Sequence, residues 1–164
     1  MNVNRLLVTS LVFALGFLLG QRFCIEHHQL AATAPLTVPM SLDLGDVVSM
    51  QQVLDTIRAV ETGSHPDPYW AVGDGGRSIG PYQIGKSYFC DGLEQLKREG
   101  LDPGLVYEDV RNQRDAERIM LAYWRRYATR PYEFSELCRL HNGGPTMRGT
   151  DLYIQKCFAI LDDH

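Results

Sequence analysis

The stretch VGDGGRSIGPYQIG, residues 72–85, decides how this chain is expected to fold, because its glycines interrupt the helical patterns on either side. Asp74-Gly75-Gly76 is typical of a tight hairpin turn, since such turns need positive φ angles that glycine adopts without strain. A phosphate-binding loop and a flexible linker are the alternatives for so many glycines. Gly80 is followed by Pro81, and the segment closes on Tyr82-Gln83-Ile84, which is not the composition of a linker. We therefore expect short extended pieces around this turn.

Helical periodicity is found on both sides of this hairpin. Apolar residues recur at helical spacing over 47–60, and Thr62-Gly63 ends that helix. Further helices are expected over 88–99, 111–129 and 134–140, and from Thr150 towards the C-terminus. The predicted fold class is therefore α+β, mainly α, with a small β element.

The N-terminal part has a different composition. Residues 6–20 form an uncharged apolar run that is shorter than the roughly 20 residues of a membrane-spanning helix and has the length of a signal-peptide core. We interpret residues 1–34 as a signal peptide or an uncleaved signal-anchor, 35–44 as a linker and 45–164 as a single domain. The domain is expected to be secreted or, if residues 6–20 are retained, tethered to a membrane outside the cytoplasm.

Charge and cysteine content narrow the class of partner. The formal net charge of −4 argues against a nucleic-acid-binding protein, which normally carries a basic face. The arginines between 111 and 130 are expected to form a solvated helix face. Cys138 and Cys157 fall on neighbouring predicted helices and are the candidate disulfide pair of an exported protein. No histidine or cysteine cluster has the spacing of a metal site, and no cofactor is indicated.

Glu61 carries the strongest chemical signal. It stands in the last turn of the first predicted helix and directly precedes the glycine-rich stretch. Apolar neighbours such as Ile57 and Trp70 would raise the pKa of its carboxyl by desolvation, so that it stays protonated near neutral pH. A negative charge at a helix C-terminus is unfavourable, which makes a stabilising role the poorer explanation. The hairpin would return Asp74 across from it, although an Asp before Gly-Gly is also what a turn prefers.

Several short motifs occur in order along the chain. They are Glu61-Thr62-Gly63, Gly80-Pro81-Tyr82-Gln83-Ile84, Tyr88-Phe89-Cys90-Asp91, Tyr123-x-x-x-Tyr127, Arg139-Leu140-His141-Asn142-Gly143-Gly144-Pro145 and Thr150-x-x-Tyr153. In this combination the chain resembles the invertebrate-type (destabilase) lysozyme family and related lysozyme-like glycosidases, over about residues 47–160. The resemblance implies a lysozyme-like fold with a small β-hairpin beside the active-site groove. It also implies cleavage of the β-1,4 bond between N-acetylmuramic acid and N-acetylglucosamine in bacterial peptidoglycan.

The resemblance further implies roles for single residues. Glu61 matches the general acid, and Asp74 is the nearest match to the second carboxylate, with Asp67 and Asp91 as alternatives. Ser78 matches a hairpin serine that could orient the acid or the substrate. The residues expected to line the groove are Tyr82, Gln83, His141 and Asn142. For His141, a hydrogen bond that braces a loop is an equal alternative.

Two departures from the family pattern keep other functions open. The family is usually rich in cysteine, whereas this domain has few, and His65-Pro66-Asp67-Pro68 resembles lytic transglycosylase sequences. One alternative is therefore a lytic transglycosylase that uses Glu61 alone, and another is a non-catalytic glycan-binding module on the same fold. The expected partner in each case is peptidoglycan or a related amino-sugar glycan.

Overall fold

The computed structural model describes residues 48–101 and 103–163. The predicted signal or anchor segment (1–34), its apolar run (6–20) and the predicted linker (35–44) lie outside the described residues. The described part is mainly helical with a small antiparallel sheet, which confirms the expected α+β, mainly α class. Within it, no helix combines the length and the apolar character needed to cross a bilayer.

Five α-helices and three short strands occur in this part of the chain. The helices are α1 (Met50–Thr62), α2 (Lys86–Arg98), α3 (Gln113–Tyr127), α4 (Phe134–Gly143) and α5 (Asp151–Asp162). The strands are β1 (Val72–Gly73), β2 (Ser78–Ile79) and β3 (Ile84–Gly85). Helix α2 packs on α3, while α1 packs on α4 and α5 and α4 also contacts α3. The helices thus enclose a common core on which the sheet rests.

Helix α1 begins with a capping box. The Ser49 Oγ accepts a hydrogen bond from the Gln52 N–H (3.2 Å), and the Gln52 Oε1 accepts one from the Ser49 N–H (2.9 Å). These bonds satisfy donors that the first helical turn leaves without partners. The helix ends at Thr62 with Gly63 as its C-cap, as predicted, so that Glu61 lies in its last turn.

The sheet runs in the order β1-β2-β3 with antiparallel pairing throughout. The paired residues are Val72 with Ile79, Gly73 with Ser78, Ser78 with Gly85 and Ile79 with Ile84. The turn after β1 has positive φ at Asp74 (50°) and Gly75 (65°), and the Gly76 N–H donates to the Gly73 carbonyl (2.9 Å). The chain thus turns through residues with positive φ between two antiparallel strands, so the predicted hairpin is confirmed.

The arginines in the last turn of α3 form ion pairs with Glu94 on α2 and with Glu99, the residue that follows α2. Arg125 donates two hydrogen bonds to Glu99 (2.9 and 2.7 Å), and Arg126 contacts Glu94 at 2.7 Å. Partly exposed pairs of this kind stabilise a fold only weakly. The expected solvated arginine face is therefore in part an ion-paired seam between two helices.

Cys138 on α4 and Cys157 on α5 are both fully buried. A hydrogen bond with Cys157, followed by burial, raises the pKa of the Cys138 thiol, so the two thiols are neighbours in the core. The structure holds both as free thiols. The predicted disulfide is not formed here.

Helices α2 and α3 approach closely at Gly92. A Cβ at this position would lie 2.7 Å from the Ile119 carbonyl oxygen and 2.9 Å from the Ile119 Cγ2. Contacts this short force one helix away from the other, since backbone atoms cannot rotate aside.

Replacing Gly92 with Val should therefore lower the free energy of unfolding by about 2 kcal/mol. The measurement is urea unfolding followed by circular dichroism. The matched control is Ser87→Ala, at an exposed position in the first turn of the same helix, which should change stability little. Equal stability of the two variants would contradict the close approach of the helices.

Candidate active site

The Glu61 side chain lies at the C-terminal end of α1 and is 19% exposed. Burial raises the pKa of its carboxyl to about 7, in the direction expected. Trp70, one of the residues expected to shield it, is 68% exposed. The Tyr153 hydroxyl and the Lys156 ammonium partly oppose this rise, whereas the negative charge of Asp74 adds to it. At neutral pH the carboxyl is therefore protonated in a large fraction of molecules, which is the state that can donate a proton.

The structure places the His141 ring beside this carboxyl. Its Nε2 lies 3.0 Å from the Tyr82 carbonyl oxygen and 3.6 Å from the Glu61 Oε1. Burial lowers the pKa of His141 to about 4, so the ring is neutral at physiological pH. Because a carbonyl oxygen can only accept, we assign the single ring proton to Nε2. His141 therefore braces the Tyr82 backbone, the second of its two predicted roles, and makes no ion pair with Glu61.

Two tyrosine rings contact the His141 ring, and the hydroxyl of one of them, Tyr153, lies near the Glu61 carboxyl. The Tyr88 ring packs edge-on against the His141 ring, with ring centroids 5.6 Å apart. The Tyr153 ring is tilted against the His141 ring, with centroids 6.4 Å apart. The buried Tyr153 hydroxyl is close enough to Glu61 to lower its pKa, but without the geometry of a regular hydrogen bond. No other partner for this hydroxyl lies among the described residues. Tyr153 thus tunes Glu61 from α5.

The three candidate second carboxylates lie in different surroundings. Asp74 is exposed in the hairpin turn, and its charge acts on Glu61. Asp67 is exposed ahead of the 3-10 turn Pro68–Trp70, and Asp91 accepts a hydrogen bond from the Tyr127 hydroxyl (3.1 Å). Of the three, only Asp74 contributes to the pKa shift of Glu61, so it is the best placed to act with Glu61.

Ser78 and Gln83, the predicted site residues of the hairpin, are hydrogen-bonded to each other. The Ser78 hydroxyl donates to the Gln83 Oε1 (3.1 Å), and the Gln83 Nε2 donates to the Gly80 carbonyl (2.9 Å). Gly73 leaves room for this side chain, since a Cβ there would collide with the Gln83 amide oxygen. In this structure Ser78 and Gln83 therefore shape the hairpin, and their contact with substrate stays a prediction.

Tyr82 differs from the expectation that it lines a groove. Its side chain is fully buried, and its hydroxyl donates to the Glu117 Oε1 at 2.6 Å. The ring is drawn into the core because the buried carboxylate gives its hydroxyl a partner there. Tyr82 instead contributes its backbone carbonyl beside Glu61. Asn142, near the end of α4, is exposed, and its contact with sugar stays a prediction.

Residues 80–87 read Gly-Pro-Tyr-Gln-Ile-Gly-Lys-Ser, which is the residue spacing of a phosphate-binding loop. Such a loop surrounds phosphate with free backbone N–H groups. Here Pro81 has no N–H, the Gln83 N–H donates to the Gly80 carbonyl (3.1 Å), and Ile84 is buried and paired in the sheet. The geometry thus argues against phosphate binding where the spacing alone favours it.

Two residues of the site were not given a role from the sequence. Tyr153 belongs to the Thr150-x-x-Tyr153 motif, and Lys156 follows it by one helical turn on α5. Both act on the charge of Glu61. Helical periodicity places Tyr153 on a buried stripe, but it does not show that this stripe meets the end of α1. Among the described residues, no group of three or more histidine, cysteine or carboxylate side chains could hold a metal ion.

A scan of the sequence against protein-family models gives no match, and a search of curated proteins finds no significantly similar sequence. The support for a function therefore comes from Glu61 and the groups around it.

Replacing Glu61 with Gln should alter how stability depends on pH. The folded pKa of about 7 lies above the ordinary value of 4.5, so between these values the folded protein keeps a proton that the unfolded chain releases. Stability from this group is present below pH 4.5 and is lost as the pH rises to 7. The stability of Glu61→Gln relative to wild type should therefore increase by about 2–3 kcal/mol from pH 4.5 to above pH 7.

Urea unfolding at a series of pH values measures this difference, and comparison with wild type cancels the opposite contribution of His141. Glu108→Gln, at an exposed carboxyl, is the control and should give a difference that hardly varies with pH. A flat difference for Glu61→Gln as well would show that Glu61 is not buried as described.

Replacing Tyr153 with Phe should raise the pKa of Glu61 above about 7, because the hydroxyl that favours the ionised carboxylate is removed. Titration of the carboxyl carbon by nuclear magnetic resonance measures the shift. Tyr127→Phe removes a hydroxyl from Asp91 instead and should leave the Glu61 titration unchanged. A lowered or unchanged pKa in Tyr153→Phe would contradict the contact.

Proposed function

We propose that this chain is a peptidoglycan glycoside hydrolase of the lysozyme type, with a lysozyme-like fold. Glu61 would act as the general acid that protonates the oxygen between N-acetylmuramic acid and N-acetylglucosamine. The observation that carries the proposal is the Glu61 carboxyl, whose pKa burial raises to about 7 at the end of a helix beside a glycine-rich hairpin. The ordered motifs shared with invertebrate-type lysozymes support the substrate class.

The surroundings of Glu61 divide the acid–base work between two carboxyl groups. Glu61 holds its proton because it is shielded from water, whereas Asp74 stands exposed in the turn. Asp74 would stabilise the positive charge that develops on the sugar, or activate the attacking water. The neutral His141 fixes the backbone beside the acid without supplying a charge that would ionise it. The domain would act outside the cytoplasm, either secreted or tethered.

Glu61→Gln should reduce the clearing of a peptidoglycan suspension by at least about a hundredfold, the usual contribution of a general acid. In wild type, the rate should fall as the pH rises through about 7, because Glu61 must carry its proton to donate it. Glu108→Gln should retain both the rate and this pH profile. A folded Glu61→Gln protein with full activity would overturn the proposal.

A lytic transglycosylase that uses Glu61 alone is the second candidate, and the exposed turn position of Asp74 favours it. Asp74 adopts a positive φ in the hairpin turn, a conformation that Asp tolerates better than most residues. Product analysis separates the two reactions: reducing ends indicate hydrolysis and 1,6-anhydro-muramyl ends indicate transglycosylation. Asp74→Asn should be severe in the first case and nearly silent in the second. Glycan binding by wild type without cleavage would instead indicate a non-catalytic module.

A further inference from the structure

Trp70 places a large apolar ring in solvent next to the hairpin. It is 68% exposed, whereas Trp124, the other tryptophan of the chain, is fully buried. Tyr69 and Val72 beside it are 45% and 58% exposed. Water-exposed apolar side chains grouped in this way commonly mark a binding surface.

The Trp70 ring is held in place before any ligand arrives. The Arg111 guanidinium lies 4.9 Å from the ring centroid, and its Nη1 donates to the Tyr69 carbonyl (3.2 Å). The chain around Arg111 can pack this close to the hairpin because residue 80 is glycine. A Cβ at Gly80 would lie 2.5 Å from the Val110 carbonyl oxygen. Arginine thus restrains the indole, and a restrained side chain loses little further entropy on binding.

The ring is also connected to the proposed active site through a short segment of chain. The Ala71 carbonyl accepts a hydrogen bond from the Gly80 N–H (3.0 Å), which fixes this segment to the hairpin. Asp74, whose charge acts on Glu61, follows Trp70 by only four residues. Their Cα atoms are therefore at most about 14 Å apart, within the length of an oligosaccharide of several sugars.

We propose that Trp70 is a stacking platform for one sugar ring of an amino-sugar glycan, at a distance from the bond that is cleaved. This inference rests on the proposed function and extends its site. The axial C–H groups of a pyranose form an apolar face that matches the electron-rich face of an indole. The sugar hydroxyl and amide groups at the ring edge would find polar partners in Arg111 and the exposed Asp67.

The surface fits a sugar better than other occupants. Stable protein interfaces bury about 800 Å² on each partner, far more than three side chains offer. Anionic lipid attracts clusters of positive charge, whereas this chain carries a net charge of −4. One rigid aromatic ring with charged neighbours is suited to a single ring of a polar ligand.

The two tryptophans supply the first test, because only Trp70 can contact a ligand directly. Addition of the N-acetylglucosamine hexamer should change the tryptophan fluorescence of the full chain, both in wild type and in Glu61→Gln. The response should disappear in Trp70→Phe, where the buried Trp124 remains. Vesicles of phosphatidylglycerol and phosphatidylcholine should give no response.

The second test separates binding from chemistry. In the Glu61→Gln background, Trp70→Ala should bind the hexamer roughly five- to tenfold more weakly, in line with the worth of an aromatic contact, and Trp70→Tyr should recover part of the loss. In active enzyme, Trp70→Ala should raise KM by a similar factor and leave kcat unchanged, since a distant contact adds uniform binding. Leu152→Ala, at a 74% exposed apolar residue on α5, is the control and should change neither value.

Unchanged hexamer binding in Trp70→Ala, a fluorescence response that persists in Trp70→Phe, or a response to vesicles alone would overturn the inference. Failure of the proposed function has a different signature, namely equal cleavage rates for wild type and Glu61→Gln. Hexamer binding lost in Trp70→Ala would then still support a glycan-binding platform. Absence of hexamer binding in every variant would overturn the proposal that Trp70 stacks on a sugar. The cleavage rates of wild type and Glu61→Gln would still test the role of Glu61 as general acid.

Discussion

Burial of the Glu61 carboxyl is the constraint on which the rest of this structure depends. A carboxyl at the end of a helix would normally be ionised and solvated, and the helix dipole disfavours its charge. Here α4, α5 and the hairpin remove most of that solvent, so the proton is retained up to about pH 7. The neutral His141 and the Tyr153 hydroxyl fill the space beside it with groups that carry no net charge at that pH.

Two hydrogen bonds hold the hairpin against this acid. The Thr62 hydroxyl, one residue after Glu61, donates to the Pro81 carbonyl (2.8 Å), and His141 donates to the next carbonyl, that of Tyr82 (3.0 Å). The Tyr82 ring is anchored in the core by Glu117. The segment Gly80–Ile84 is therefore held to the end of α1 by Thr62 and to α4 by His141.

Burial of the Glu61 carboxyl also lowers the stability of the fold at neutral pH. Keeping Glu61 away from water costs stability as the pH rises from 4.5 to about 7, because the unfolded chain releases a proton there that the folded protein keeps. The apolar stripe of α1, with Val53, Leu54 and Ile57 fully or almost fully buried, fixes the helix that carries this group. A perturbed carboxyl held in this way is a recognised mark of a functional site. Trp70 shows the reverse mismatch with its surroundings: Glu61 is a polar group that is buried, whereas Trp70 is an apolar ring that is exposed to water.

The sequence by itself determined the mainly helical class, the turn at Asp74 and the position of Glu61 in the last turn of α1, because helical periodicity and turn chemistry are local properties. Only the tertiary structure decided that Tyr82 is buried, that His141 is neutral and braces a backbone carbonyl, and that Tyr153 reaches the acid. It also decided against phosphate binding at residues 80–87, where the spacing fits. In each case the outcome depends on which partner a polar group meets across the core, and residue spacing along one chain does not contain that information.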